Sequence, residues 1–183
     1  MLDSALLMRR AVRWALESNN LKLESLQLMD HETRHHFEQL AIAVADDMQY
    51  NQLKYFRPFE HQRKFFATYQ SDRRGILAAN RIGKTVSTCY ETAMHLTGRY
   101  PSWWRGHRFD TPITAMVAGE GWSQVAMVLQ NELLGTQDVK IKEQLGTGAI
   151  PRDCIITDTM RSDGANCMGV EILHRSGEKS YLL

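Results

Sequence analysis

GILAANRIGKTVSTC, residues 75–89, is the stretch that decides the fold. The apolar run from Arg74 to Ala79 predicts a short buried strand, Asn80 to Gly83 a turn, and Thr85 to Leu96 a helix. Working outward, Ile113 to Ala118 is a second buried-strand candidate and Trp122 to Leu134 a second helix. Strand and helix in alternation build a parallel sheet covered by helices, so the expected class is α/β. Further on, "GTGAIP" (146–151) predicts a loop. Cys154 to Thr157 and Met168 to Leu173 predict strands, and "SGEK" (176–179) predicts a turn before Ser180 to Leu183.

The turn has its own chemistry. A chain that passes from a strand through Ala79, Asn80, Arg81, Ile82 and Gly83 into Lys84 and Thr85 at a helix start wraps backbone N–H groups around an anion. The helix dipole favours negative charge at that point. Gly83 allows close backbone approach, Lys84 would set its ammonium on β- and γ-phosphates, and the Thr85 hydroxyl would hold Mg²⁺. Arg81 would reach the γ-phosphate as charge develops there, or pair with a surface carboxylate. A bare Gly-Lys-Ser/Thr triplet arises by chance in about one chain in ten of this length, so the flanking strand and helix carry the weight. The pattern GxxxxGK[ST] asks for glycine where this chain has Ala78, which is tolerable if Ala78 ends the strand with a negative φ.

Upstream, Pro58 predicts the first position of a short helix that folds back beside the loop and carries Gln62. A glutamine amide both donates and accepts, which matches an adenine edge, and Phe56 or Tyr55 would stack on the base. No apolar run ending in Asp-Glu follows the loop. Glu171, in "MGVEIL", reads as a solvent-facing strand residue.

The remaining composition sets limits. The chain has 183 residues, 22 basic against 21 acidic, so any nucleic-acid contact must come from a local patch. Cys89, Cys154 and Cys167 form no CxxC pair and are expected reduced, as in a cytosolic protein. Ala5 to Met8 is too short for a leader or a membrane span. Residues 1–50 read as a helical lead-in: one amphipathic helix with Leu2, Leu6, Val12 and Leu16, closed by "SNN", and a second capped by Asp30 and carrying Phe37, Leu40, Ile42, Val44 and Ala45. Residues 51–183 hold the α/β part.

Two constellations compete with the loop. "HETRH" places His31 and His35 one helical turn apart with Glu32 as a possible base, the spacing of a zinc hydrolase. Its neighbours Asp30, Arg34, His36 and Glu38 instead suit an exposed helix face, and Asp46, Asp47 and Glu60 are the only third ligands on offer. "YPSWWRGHRF" mixes Trp103, Trp104 and Phe109 with Arg105, His107 and Arg108. Either the tryptophans anchor a loop to the core, or the arginines meet phosphates.

In order along the chain, "FRPFEHQRKFF", "AANRIGKT", "LTGRYPSWWRGHRFD", "LLGT" and "GTGAIP" resemble the amino-terminal region of tailed-phage large terminases, from about Tyr55 onward. The resemblance implies a P-loop ATPase domain of the additional-strand type that precedes a nuclease domain. ATP and Mg²⁺ would be the cofactors, and ATP turnover would drive double-stranded DNA through a portal. It places the family's deviant Walker A on Ala78 to Thr85, with Lys84 and Arg81 as catalytic groups, Thr85 on the metal and Gln62 on adenine. The implied partners are DNA, the portal protein, a small terminase subunit and further copies in a ring, without a membrane. The implied setting is the host cytoplasm, docked at times on a procapsid. The family's Walker B and nuclease carboxylates have no counterpart in residues 1–183, which implies part of a longer protein. A helicase-like P-loop ATPase is the alternative.

Overall fold

The computed structural model describes residues 4–22 and 24–183, with the side chain of Gln27 left aside. The chain divides into two compact units, Met1–Tyr50 and Asn51–Leu183. Leu2, expected in the first helix, lies outside the described residues.

The first unit is a helical hairpin of α1 (Ser4–Ser18) and α3 (His31–Tyr50), with the single turn α2 (Ser25–Leu28) between them. The buried stripe of α1 runs through Leu7, Ala11 and Ala15, while Leu6 is 48% exposed. The small alanines, which the sequence reading passed over, let α3 approach. On α3 the stripe is Phe37, Ala41, Val44, Ala45 and Met48, and Leu40 and Ile42 face outward. "SNN" stops α1 as expected. Asn20 takes φ +53°, and Leu21 N–H donates to Leu16 C=O at 2.9 Å, the hydrogen bond of a Schellman stop. Asp30 caps α3, accepting from Thr33 N–H at 2.8 Å, and that bond lowers its carboxyl pKa.

The second unit begins with α4 (Gln52–Tyr55) and α5 (Glu60–Phe66) and continues with α6 (Lys84–Thr97). Pro58 precedes α5 by two residues instead of opening it. Helix α7 spans residues 122–134 in three consecutive parts: α-helical Trp122–Gln124, π-helical Val125–Gln130 and α-helical Asn131–Leu134. Four strands follow in the spatial order β1-β4-β3-β2: β1 (Thr114–Ala115), β2 (Ile155–Asp163), β3 (Asn166–Leu173) and β4 (Lys179–Leu182).

The α/β class holds, but the sheet is mixed where a parallel one was expected. Only β1 and β4 run parallel, and β2/β3 and β3/β4 are antiparallel. The cause is local. Gly164-Ala165 joins β2 to β3 directly, with Gly164 at φ +60°, and Gly177 at φ +88° lies in the turn that leads to β4. Connections this short only allow antiparallel pairing. The strand expected at Ile113 to Ala118 is an edge strand paired only with β4, and its Met116 is 75% exposed. The larger departure is Arg74 to Ala79, which pairs with no strand among the described residues and leaves Leu77 fully exposed.

The core is built on α6, whose Ala93, Met94 and Leu96 are fully buried, against Val170 and Ile172 of β3, Leu134 of α7, Phe66 of α5 and Trp104. "GTGAIP" docks on the end of α7 through Ala149 N–H to Glu132 C=O at 2.8 Å and Ile150 N–H to Leu133 C=O at 2.9 Å. Gln130, in the π-helical part, donates to Ala165 C=O and accepts from Cys167 N–H, clamping the β2–β3 turn. No helix among the described residues is long and apolar enough to cross a membrane.

Two outcomes test this packing. Phe66→Ala should cost about 3–5 kcal/mol in urea unfolding, because its ring lies between Phe65, Trp103 and Trp104. Burial pushes the Cys89 and Cys154 thiols up to about 12, so both remain protonated near neutrality. Iodoacetamide at mildly alkaline pH should therefore label neither in the folded protein and both in denaturant.

Candidate functional site

The hydrogen-bonded helix begins at Lys84, where a phosphate cradle needs it. Gly83 precedes it in the left-handed region at φ +83°, and Arg81 is also left-handed at φ +63°. The φ of Arg81 costs about 1 kcal/mol or more for a residue with a Cβ, a strain that fixed neighbours must hold. Ala78 has no positive φ, so its methyl group carries no such strain even though it ends no strand. From Asn80 to Val86 no backbone N–H finds a partner among the described residues, and the first bond back into the helix is Ser87 N–H to Gly83 C=O at 2.9 Å. A run of unpaired amides at the head of a 14-residue helix is the donor set that an oxyanion requires.

The side chains fit that purpose. The Lys84 ammonium donates to Ala78 C=O at 2.6 Å and Ala79 C=O at 2.9 Å, which holds it inside the loop. Arg81 is exposed and has no ion-pair partner among the described residues, and the Thr85 hydroxyl has no partner there either. Together they supply one ammonium, one guanidinium, one hydroxyl and a ring of amides. No carboxylate bonds to the loop.

Helix α5 braces the loop from the side. Gln62, 4% exposed, accepts from Phe59 N–H at 2.8 Å and donates to Gly83 C=O at 3.2 Å. Its amide thus closes the start of α5 and ties that helix to the loop, a bracing role that the sequence reading did not assign. One amide hydrogen and one lone pair remain. His61 Nε2 lies 3.0 Å from Ile82 C=O, a second tether from the same helix. A third comes from the approach segment: Arg74 donates to Glu91 of α6 at 2.8 Å, with Glu91 only 6% exposed and the guanidinium over the Phe65 ring. His61 and Glu91 were missed because their partners are a backbone carbonyl and an arginine 17 residues away, and neither leaves a sequence pattern.

Other expected contributors lie elsewhere. Phe56 stacks on Tyr90 with ring centroids 3.9 Å apart, so this face is taken by the core and is not open to a base. Tyr55 lies under Lys54. Glu171 forms an ion pair with Lys179 at 2.6 Å across β3 and β4. His31, Glu32 and His35 are exposed on α3, and no group of three or more His, Cys, Asp or Glu among the described residues is arranged to hold a metal ion. Trp104 is buried, with its indole N–H bonded to His107 C=O at 2.9 Å, which makes "YPSWWRGHRF" a loop folded around an aromatic anchor.

No family model matches the chain, and no solved structure matches it. A curated relative that it does match is the terminase large subunit of Salmonella phage P22, 32% identical over 115 residues. That match takes in 56% of this chain and 23% of the relative, so the chain corresponds to less than a quarter of the relative's length. The resemblance carried by its motifs is thereby supported by a curated protein: the matched part of this chain is terminase-like.

Proposed function

We propose that this chain is the ATP-binding part of a phage DNA-packaging motor, a terminase large subunit that couples ATP hydrolysis to movement of double-stranded DNA. The observation that supports this most is the run of unpaired amides from Asn80 to Val86, with Lys84 held inside it. ATP·Mg²⁺, when bound, supplies the phosphoryl group whose transfer releases the energy for movement.

Within that reading the protein's own residues divide the work. Amides of Ala79, Asn80, Arg81, Ile82, Gly83, Lys84 and Thr85 bind phosphate oxygens. Lys84 exchanges its two carbonyl partners for β- and γ-oxygens, and a charge-assisted bond to an anion is the stronger of the two. Thr85 holds Mg²⁺ through its hydroxyl, and Arg81 stabilises charge at the γ-phosphate. Gln62 offers its remaining hydrogen and lone pair to adenine while it braces Gly83. Hydrolysis also needs carboxylates to hold the metal and orient water, and none bonds to this loop, so turnover belongs to a longer protein, as does nuclease activity. Double-stranded DNA, a portal, a small terminase subunit and further copies in a ring are the proposed partners. The proposed setting is the host cytoplasm, with docking on a procapsid.

Lys84→Ala should abolish binding of ATP·Mg²⁺ in a calorimetric titration, and an unchanged affinity would reject the assignment. Gly83→Ala places a Cβ 2.8 Å from Gln62 Nε2 in a left-handed conformation. It should lower stability by about 1 kcal/mol or more and weaken nucleotide binding. Adding Gln62→Ala should relieve the contact but not the backbone cost, leaving part of the loss. Residues 1–183 alone should show little or no phosphate release, and sustained turnover would mean that a catalytic carboxylate lies within them.

A further inference from the structure

Beyond the end of α6 opposite the phosphate loop lies a cavity of about 420 Å³ that the proposed function does not use. Three cations, Lys54, Arg57 and Arg99, and three aromatic rings, Phe56, Tyr100 and Trp103, line it, and no carboxylate does. Arg99 is held in place by Asp153 through two hydrogen bonds of 3.0 and 2.7 Å, so it is a fixed charge. Arg57 is exposed and has no ion-pair partner among the described residues. Even with Asp153 counted against Arg99, the lining carries excess positive charge. Phe56 and Trp103 meet edge-on at 5.9 Å, and Phe56 is pinned beneath by Tyr90, which gives a rigid aromatic wall beside the cations.

The geometry points to a second anion site here, for a phosphate carried on a flat ring: a nucleotide unit, free or within a nucleic-acid strand. The volume lies within the usual range for small-ligand pockets, roughly 300–1,000 Å³. Guanidinium groups next to aromatic faces take a phosphate and a stacked ring together, whereas an acidic peptide would use the cations and leave the rings idle. The site is separate from the loop, since α6 puts about 20 Å between Lys84 and Arg99.

The test is fluorescence anisotropy of a labelled short oligothymidylate with the whole chain, with dTMP, inorganic phosphate and polyglutamate as competitors. Wild type should bind the oligothymidylate. Arg57→Glu should weaken binding about tenfold and reduce the salt slope by about one, with Lys54→Gln weaker in the same direction and Arg57→Lys close to wild type. Both charge changes are at exposed positions, and thermal melting identifies a variant that has lost its fold. Lys84→Ala should bind as wild type does, which separates this site from the phosphate loop. Competition by dTMP assigns the site to a free nucleotide, and strand binding without dTMP competition assigns it to a nucleic-acid strand. The proposal is overturned if neither ligand binds, if Arg57→Glu and Lys54→Gln both match wild type, if Lys84→Ala alone abolishes binding, or if phosphate or polyglutamate competes as well as dTMP.

Discussion

Burial of the α6 stripe sets the geometry of the second unit. Ala93, Met94 and Leu96 can be fully buried only if β3, α5, α7 and Trp104 close on the helix from several sides. With one CH₂ worth about 0.8 kcal/mol, the helix has little freedom to slide or rotate. Its first residue is therefore fixed in space, and so is the left-handed Gly83 before it. The phosphate loop owes its position to apolar packing several residues away, and its shape to the φ values of Arg81 and Gly83.

Packing alone would leave the loop attached at one end. Segment 74–79 has no strand beside it among the described residues, so the ladder that would otherwise hold it is replaced by side chains. Gln62 and His61 hold the turn by its carbonyls, and Arg74 reaches into α6 to a nearly buried Glu91. Such a pair is costly to break, because losing either partner leaves a charge uncompensated in a poorly solvated place. The carbonyls are tethered and the amides left unbonded, which is the polarity that an anion site needs.

Much of this was legible in the sequence. The start of α6 at Lys84, the stop at "SNN" and the Asp30 cap each follow from one residue type at one position, so they survive the change from pattern to structure. The sheet was read less well. A two-residue Gly164-Ala165 turn after Asp163 signals an antiparallel hairpin, but alternation of strand and helix earlier in the chain suggested parallel pairing throughout. The apolar run at residues 74–79 has the composition of a buried strand without the neighbour that burial requires. In α1 the stripe was assigned to leucines, although the close approach of α3 depends on Ala11 and Ala15. The braces on the loop were illegible because their sequence separations, 17 and 21 residues, obey no periodicity.

The π-helical turn at Val125–Gln130 ties the register of α7 to its length. Each turn there holds more residues than an α-turn, so removing one residue would let the segment wind as an ordinary helix while everything after it rotated by roughly 100°. Leu133 and Leu134 would swing out of the core, and the Gln130 amide would leave the β2–β3 turn that it now clamps. A length change that an exposed loop would absorb unnoticed is, at this place, a change of fold.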